Sequence, residues 1–130
     1  MVAFALDQAH GVLLVTWSVE ITADNLVMFD GLLKTLVERH GTKDTIVDFS
    51  SAGAMSIETA QLVTRAHFPS RMPGRRRIFV APTDVAFGML RVYGAHQEQI
   101  NERAPLIVRT LDEALALMGT TRDQFQPVPI

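Results

Sequence analysis

Thr45-Ile46-Val47-Asp48-Phe49-Ser50-Ser51 runs directly into Ala52-Gly53-Ala54-Met55-Ser56. The first half is an apolar, partly β-branched run bounded by turn residues, the pattern of a buried strand. The second half is small, polar and glycine-containing, and a helix is predicted to begin near Ser56. A strand, a tight turn and a helix in succession build the crossover unit of a parallel sheet. The same succession aims backbone N–H groups over the strand end, where an anion or a serine that gains charge is favoured. The stretch therefore decides the fold class and marks the first place to look for a site.

Upstream, Val2–Leu6 and Val12–Ser18 read as strands joined by the turn-rich Asp7-Gln8-Ala9-His10-Gly11, an antiparallel pair. Thr22 is a helix N-cap with Asp24 in the first turn. Leu26, Phe29, Leu33, Leu36 and Val37 form one apolar stripe, and His40-Gly41 ends that helix. Downstream, a helix over 56–66 precedes a strand at Arg76–Ala81, stopped by Pro82. Thr83 or Asp84 opens a longer helix whose predicted core stripe is Val85, Met89, Val92, Tyr93, His96 and Ile100. Leu106-Ile107-Val108 is a short strand, and Thr110 with Glu113 reads as a capping box for a last helix ending at Met118-Gly119. The order is ββαβαβαβα, an α/β fold with a five-stranded mixed sheet and four helices. The expected domain covers residues 1–119, and residues 120–130 form a C-terminal tail that cannot continue a helix.

Composition narrows the function classes. A chain of 130 residues with 48% hydrophobic content is one domain that buries about two-thirds of its unfolded surface. Cysteine is absent, which excludes a disulfide framework, a thiolate metal site and a cysteine nucleophile. A net charge of −2 supplies no global attraction for nucleic acid or anionic membrane. No run approaches the roughly 18 apolar residues of a membrane helix, and the N-terminus has no basic leader pattern. A cytoplasmic protein without a membrane span and without a nucleic-acid partner is expected.

Three runs carry a resemblance. They are Val15-Thr16-Trp17-Ser18-Val19-Glu20-Ile21-Thr22, then Val47-Asp48-Phe49-Ser50, then Val80-Ala81-Pro82-Thr83-Asp84-Val85-Ala86-Phe87-Gly88-Met89-Leu90-Arg91-Val92-Tyr93, with Val108–Leu115 closing the domain. In this order they resemble the STAS domain of sulfate transporters and bacterial anti-sigma-factor antagonists. The nearer likeness is to small stand-alone bacterial proteins of the sporulation-antagonist-like, STAS/CRAL-TRIO-like kind. The resemblance implies a binding or regulatory module without chemistry of its own. In the antagonist branch a serine at the start of the second helix accepts a phosphate from a partner kinase, within an Asp-Ser-Ser/Thr-Gly type motif. The matching place here is Ala54-Met55-Ser56-Ile57, which keeps the hydroxyl but not the acidic residue or the glycine.

Three groups of residues have a functional reading beside a structural one. Ser56, with Ser50 and Ser51, reads either as cap and turn residues or as a phosphoacceptor or anion site. Arg71, Arg75, Arg76 and Arg77, close to Arg65 and His67, read either as a solvated loop or as a basic patch for an anion or acidic partner. Phe87, Leu90 and Arg91 fall off the predicted stripe of their helix. With Met55 they read either as a wide buried face or as a homodimer seam or the lip of an apolar pocket. Evidence for an enzyme is lacking. The four histidines show no metal-ligand spacing, and there is no GxSxG, phosphate-loop or GxGxxG motif. The expectation is therefore a non-enzymatic module without metal or cofactor. Its leading role is protein–protein regulation through the surface around Ser50, Ser51 and Ser56. The alternative is a carrier or sensor of a small apolar or lipid-like ligand. A mostly apolar pocket of several hundred Å³ between sheet and helices would favour the carrier, and a filled core the regulator.

Overall fold

Gly11, at a φ of +64°, closes the turn between β1 (Val2–Asp7) and β2 (Val12–Trp17). The computed structural model describes all of residues 1–130. After the hairpin come α1 (Ala23–His40), β3 (Asp44–Asp48), α2 (Thr59–Ala66), β4 (Arg77–Val80), α3 (Asp84–Gln99), β5 (Leu106–Val108) and α4 (Leu111–Met118). A 3-10 turn at Arg122–Gln124 then leads into β6 (Gln126–Val128). The strand order is β5-β4-β3-β2-β1-β6. Strands β2 to β5 are parallel, and β1 is antiparallel to both of its neighbours.

The sheet thus has six strands, not the five expected, and residues 126–128 are not a free tail. Pro127 and Pro129 do exclude a helix, but proline is tolerated at a sheet edge, where half of the N–H groups have no partner to lose. Pro127 pairs with Ala5 in the register of β6 on β1.

Alternation along the strands divides the core in two. Leu13, Val15, Trp17, Val47 and Phe49 face α1, α2 and α3, whose Leu26, Phe29, Leu33, Leu62 and Leu90 pack against them. Val12, Ile46, Ile78 and Val80 face α4 through Leu111, Ala114, Leu115 and Met118. Right-handed crossovers from β2 through β5 put the three intervening helices on a single face.

Two further expectations are corrected. Helix α2 begins at Thr59 with Glu58 as its N-cap, not at Ser56. Residues 53–56 are held elsewhere. Gly53 N–H donates to Val19 O, Ile21 N–H to Ala54 O, and Ser56 N–H to Ile21 O. This parallel bridge straps the β3–α2 loop to the β2–α1 connection, and a Cβ on Gly53 would come within 3.2 Å of Glu20 Cγ. The core stripe of α3 is also rotated by one residue. Ala86, Leu90, Gly94 and Gln97 are buried, whereas Val85 is 66% exposed. Small residues at 86 and 94 let the helix approach closely, and Gly94 packs on Ala104 and Pro105.

A buried carboxylate ties the C-terminal segment to the first hairpin. Asp7 accepts hydrogen bonds from Thr120 Oγ1 and from the His10 N–H, and lies 2.7 Å from His10 Nδ1. Burial alone would push the Asp7 carboxyl up, but the bonds from Thr120 and His10 outweigh it and hold the group below its ordinary value of 3.8. A depressed folded value means that ionised Asp7 stabilises the fold fully above the unfolded value. That contribution is lost as pH falls through the folded value. Thr120→Val is expected to raise the Asp7 pKa and to move the midpoint of acid unfolding to higher pH. A pH titration followed by circular dichroism checks this, and an unmoved midpoint refutes the assignment.

Candidate functional site

Six aromatic rings cross the face of the sheet beneath α1, α2 and α3. Phe4 stacks on Phe29 with centroids 6.3 Å apart, and Trp17 meets Phe29 edge-on at 5.1 Å. Trp17 also packs against Phe49 at 5.7 Å, Phe49 against Phe79 at 6.1 Å, and Phe79 against Tyr93 at 6.1 Å. All of them except Phe4 line a cavity of about 510 Å³ between the sheet and the three helices. Of its 21 lining residues 14 are hydrophobic, so the wall is an apolar surface with a few placed polar groups. Protein interiors ordinarily leave few voids larger than a water molecule. This one is of the size that ligand pockets have, roughly 300–1,000 Å³.

The opening lies at the α2–β4 connection, where Phe68, Pro69 and Arg71 are exposed. Gln97, fully buried on α3, fixes this connection. Its Nε2 donates to Ala66 O at 2.6 Å and to Phe68 O at 3.0 Å, while its Oε1 accepts from Arg77 Nη2 at 2.9 Å. Beside it, His67 Nε2 lies 3.1 Å from His96 Nδ1. Across the cavity, Arg65 of α2 makes a two-pronged pair with Asp30 of α1, at 2.7 and 2.5 Å. Burial pulls the Arg65 pKa down, but the bonds and charge of Asp30 reverse that, and the guanidinium holds its proton more firmly than usual. The indole of Trp17 is fully buried, and its Nε1–H has no hydrogen-bond acceptor.

No protein-family model matches this chain, and no curated protein matches it.

Of the residues singled out in the sequence, Met55, Leu90, Arg71 and Arg77 line the cavity. Leu90 is a core residue, contrary to its expected place off the stripe. Phe87 and Arg91 lie outside the cavity. The Phe87 ring is covered by the Arg109 guanidinium, 4.2 Å from its centroid, with that of Arg91 at 6.0 Å. The basic patch is dispersed: Arg76 pairs with Asp44 at 3.2 Å and Arg75 bonds to Thr42, both away from the cavity.

Ser50, Ser51 and Ser56 are exposed and do not border the cavity. Asp48 Oδ1 accepts from both the N–H and the hydroxyl of Ser50. The N–H groups of Ser50, Ala52, Gly53 and Ser56 are all engaged within the chain. Four of the N–H groups over the end of β3 are therefore engaged within the chain, and α2 starts at Thr59 rather than in this turn.

Asp30, Arg65, Tyr93 and Gln97 assemble from segments up to 67 positions apart, 97 minus 30. One signal was present. Asp30 lies four residues after Leu26 and three before Leu33, a charge inside an apolar helical stripe. Gln97 likewise falls seven residues after Leu90, again on the buried face.

Proposed function

We propose that this chain is a non-enzymatic binding module that holds a small apolar or lipid-like ligand, as carrier or sensor, between its sheet and helices α1, α2 and α3. The observation that carries this reading is the mostly apolar cavity of about 510 Å³, bordered by the chain of aromatic rings. An empty apolar space in a core forfeits dispersion contacts along its whole lining, and an occupant restores them. The likeness to the STAS/CRAL-TRIO-like branch is kept as a proposal, and the helix–strand alternation is compatible with it. Regulation through Ser50, Ser51 and Ser56 is the lesser reading, because α2 starts at Thr59 and offers Ser56 no helix terminus.

Native mass spectrometry of the protein purified from its own organism tests the proposal. The expected result is an additional non-covalent mass that is lost on denaturation. Leu90→Phe, which extends a side chain into the cavity, is expected to abolish that mass while leaving the fold intact. A bare chain that also fails to take up hydrophobic dyes in solution would sink the reading.

A further inference from the structure

The cavity wall is apolar, but its charges do not balance. The only charged residues that line it are Asp30, Arg65, Arg71 and Arg77. Three arginines against one aspartate leave an excess of two positive charges, in a chain whose net charge is −2. Arg65 is neutralised by Asp30. Arg77 is held by neutral acceptors alone, the Gln97 side chain and Arg103 O. Arg71 stands at the opening with neither a hydrogen bond nor an ion pair. Glu102 accepts from the Ser70 N–H and pairs with neither arginine. Two more donors border the same space without acceptors, the Tyr93 hydroxyl and the Ser70 hydroxyl proton.

From this we infer that the occupant is an amphiphile, an apolar body in the cavity with one anionic head, carboxylate or phosphate, at the opening against Arg71. The inference rests on the proposed reading of the cavity as a ligand site. A guanidinium presents a planar fork of donors that matches either oxyanion. Arg71 is exposed at the opening, so its guanidinium is free to meet the head group of a seated ligand. Arg77 contributes charge from behind without leaving its own acceptors. The geometry thus sets the ligand's direction, with the apolar end toward Trp17 and Phe29 and the charged end beside Arg71.

The test compares decanoate, decyl phosphate and decanol, below their micelle-forming concentrations, by isothermal titration calorimetry on the full chain. Arg71→Gln and Arg91→Gln are measured beside it; Arg91 lies outside the cavity and serves as the control. At least one anion is expected to bind about tenfold or more tightly than decanol, the strength of a charge-assisted hydrogen bond. Arg71→Gln is expected to shrink that advantage to about twofold, and Arg91→Gln to leave it unchanged. The better anion of the two identifies the head group. If decanol equals both anions, the anionic class is wrong while the cavity reading stands. If none of the three binds, the cavity reading fails with it. An anion preference that survives Arg71→Gln undiminished removes Arg71 as the head-group residue.

Discussion

Gln97→Leu is expected to lower the stability of this protein by about 3 kcal/mol, at little change in side-chain volume. The native amide serves three partners at once, donating to Ala66 O and Phe68 O and accepting from Arg77. Two neutral hydrogen bonds contribute about 1 kcal/mol each, and one to a charged group about 1.5–3 kcal/mol. Leucine supplies none of them: Ala66 O loses a buried donor, while Phe68 O and the Arg77 guanidinium, which keeps Arg103 O, are partly exposed and recover part of the loss from water. The loss also reaches the site. Ala66 ends α2 and Phe68 opens the connection that forms the rim of the cavity, so their release loosens the opening before it unfolds the domain. Urea denaturation checks the first effect as a lower midpoint at an unchanged slope. Hydrogen exchange at Phe68 and Ser70 checks the second. An unchanged midpoint would show that these bonds do not form as described.

The second large effect falls on Trp17. Trp17→Ala is expected to cost about 4 kcal/mol, because it removes a fully buried indole packed against Phe29 and Phe49 and enlarges an existing void. Trp17→Phe is expected to cost only about 1–2 kcal/mol. Its ring preserves the aromatic contacts, and the lost N–H had no acceptor to strand. Thermal unfolding of the two variants separates the contributions of size and polarity. A cost for Trp17→Phe as large as that for Trp17→Ala would mean that the indole N–H has a partner, such as a bound molecule retained during purification.

The strands and helices were legible because local patterns determine them. Thr22, Thr83 and Thr110 each accept from a backbone N–H three residues on, as their cap positions imply. Gly41 and Gly119 end their helices at positive φ. What local pattern could not supply was the competition for backbone groups. Ser56 looks like a helix start until Ile21 claims its N–H, a contact 35 positions away, 56 minus 21. The sixth strand was missed for a related reason. Three residues with a central proline carry no strand signal of their own and become a strand only because β1 offers an edge. On α3, the larger residues Val85 and Val92 suggested a core stripe, yet close approach selected Ala86 and Gly94 for it. The cavity was the least legible feature, since a lining position and a filled core position have the same hydrophobic signature. Asp30, a charge inside the apolar stripe of α1, carried a signal that the stripe of Leu26, Phe29 and Leu33 masked.

The placement of β6 has a consequence for how the molecule is made. Within this chain β1 is synthesised before every other element and β6 after all of them, yet the two are neighbours in the sheet. Until residues 126–128 leave the ribosome, the outer rim of β1 presents unpaired N–H and C=O groups. Thr120 must emerge as well before Asp7 gains its buried donor. The nascent domain therefore carries a strand open to pairing with other chains until β6 has been made and docks along it.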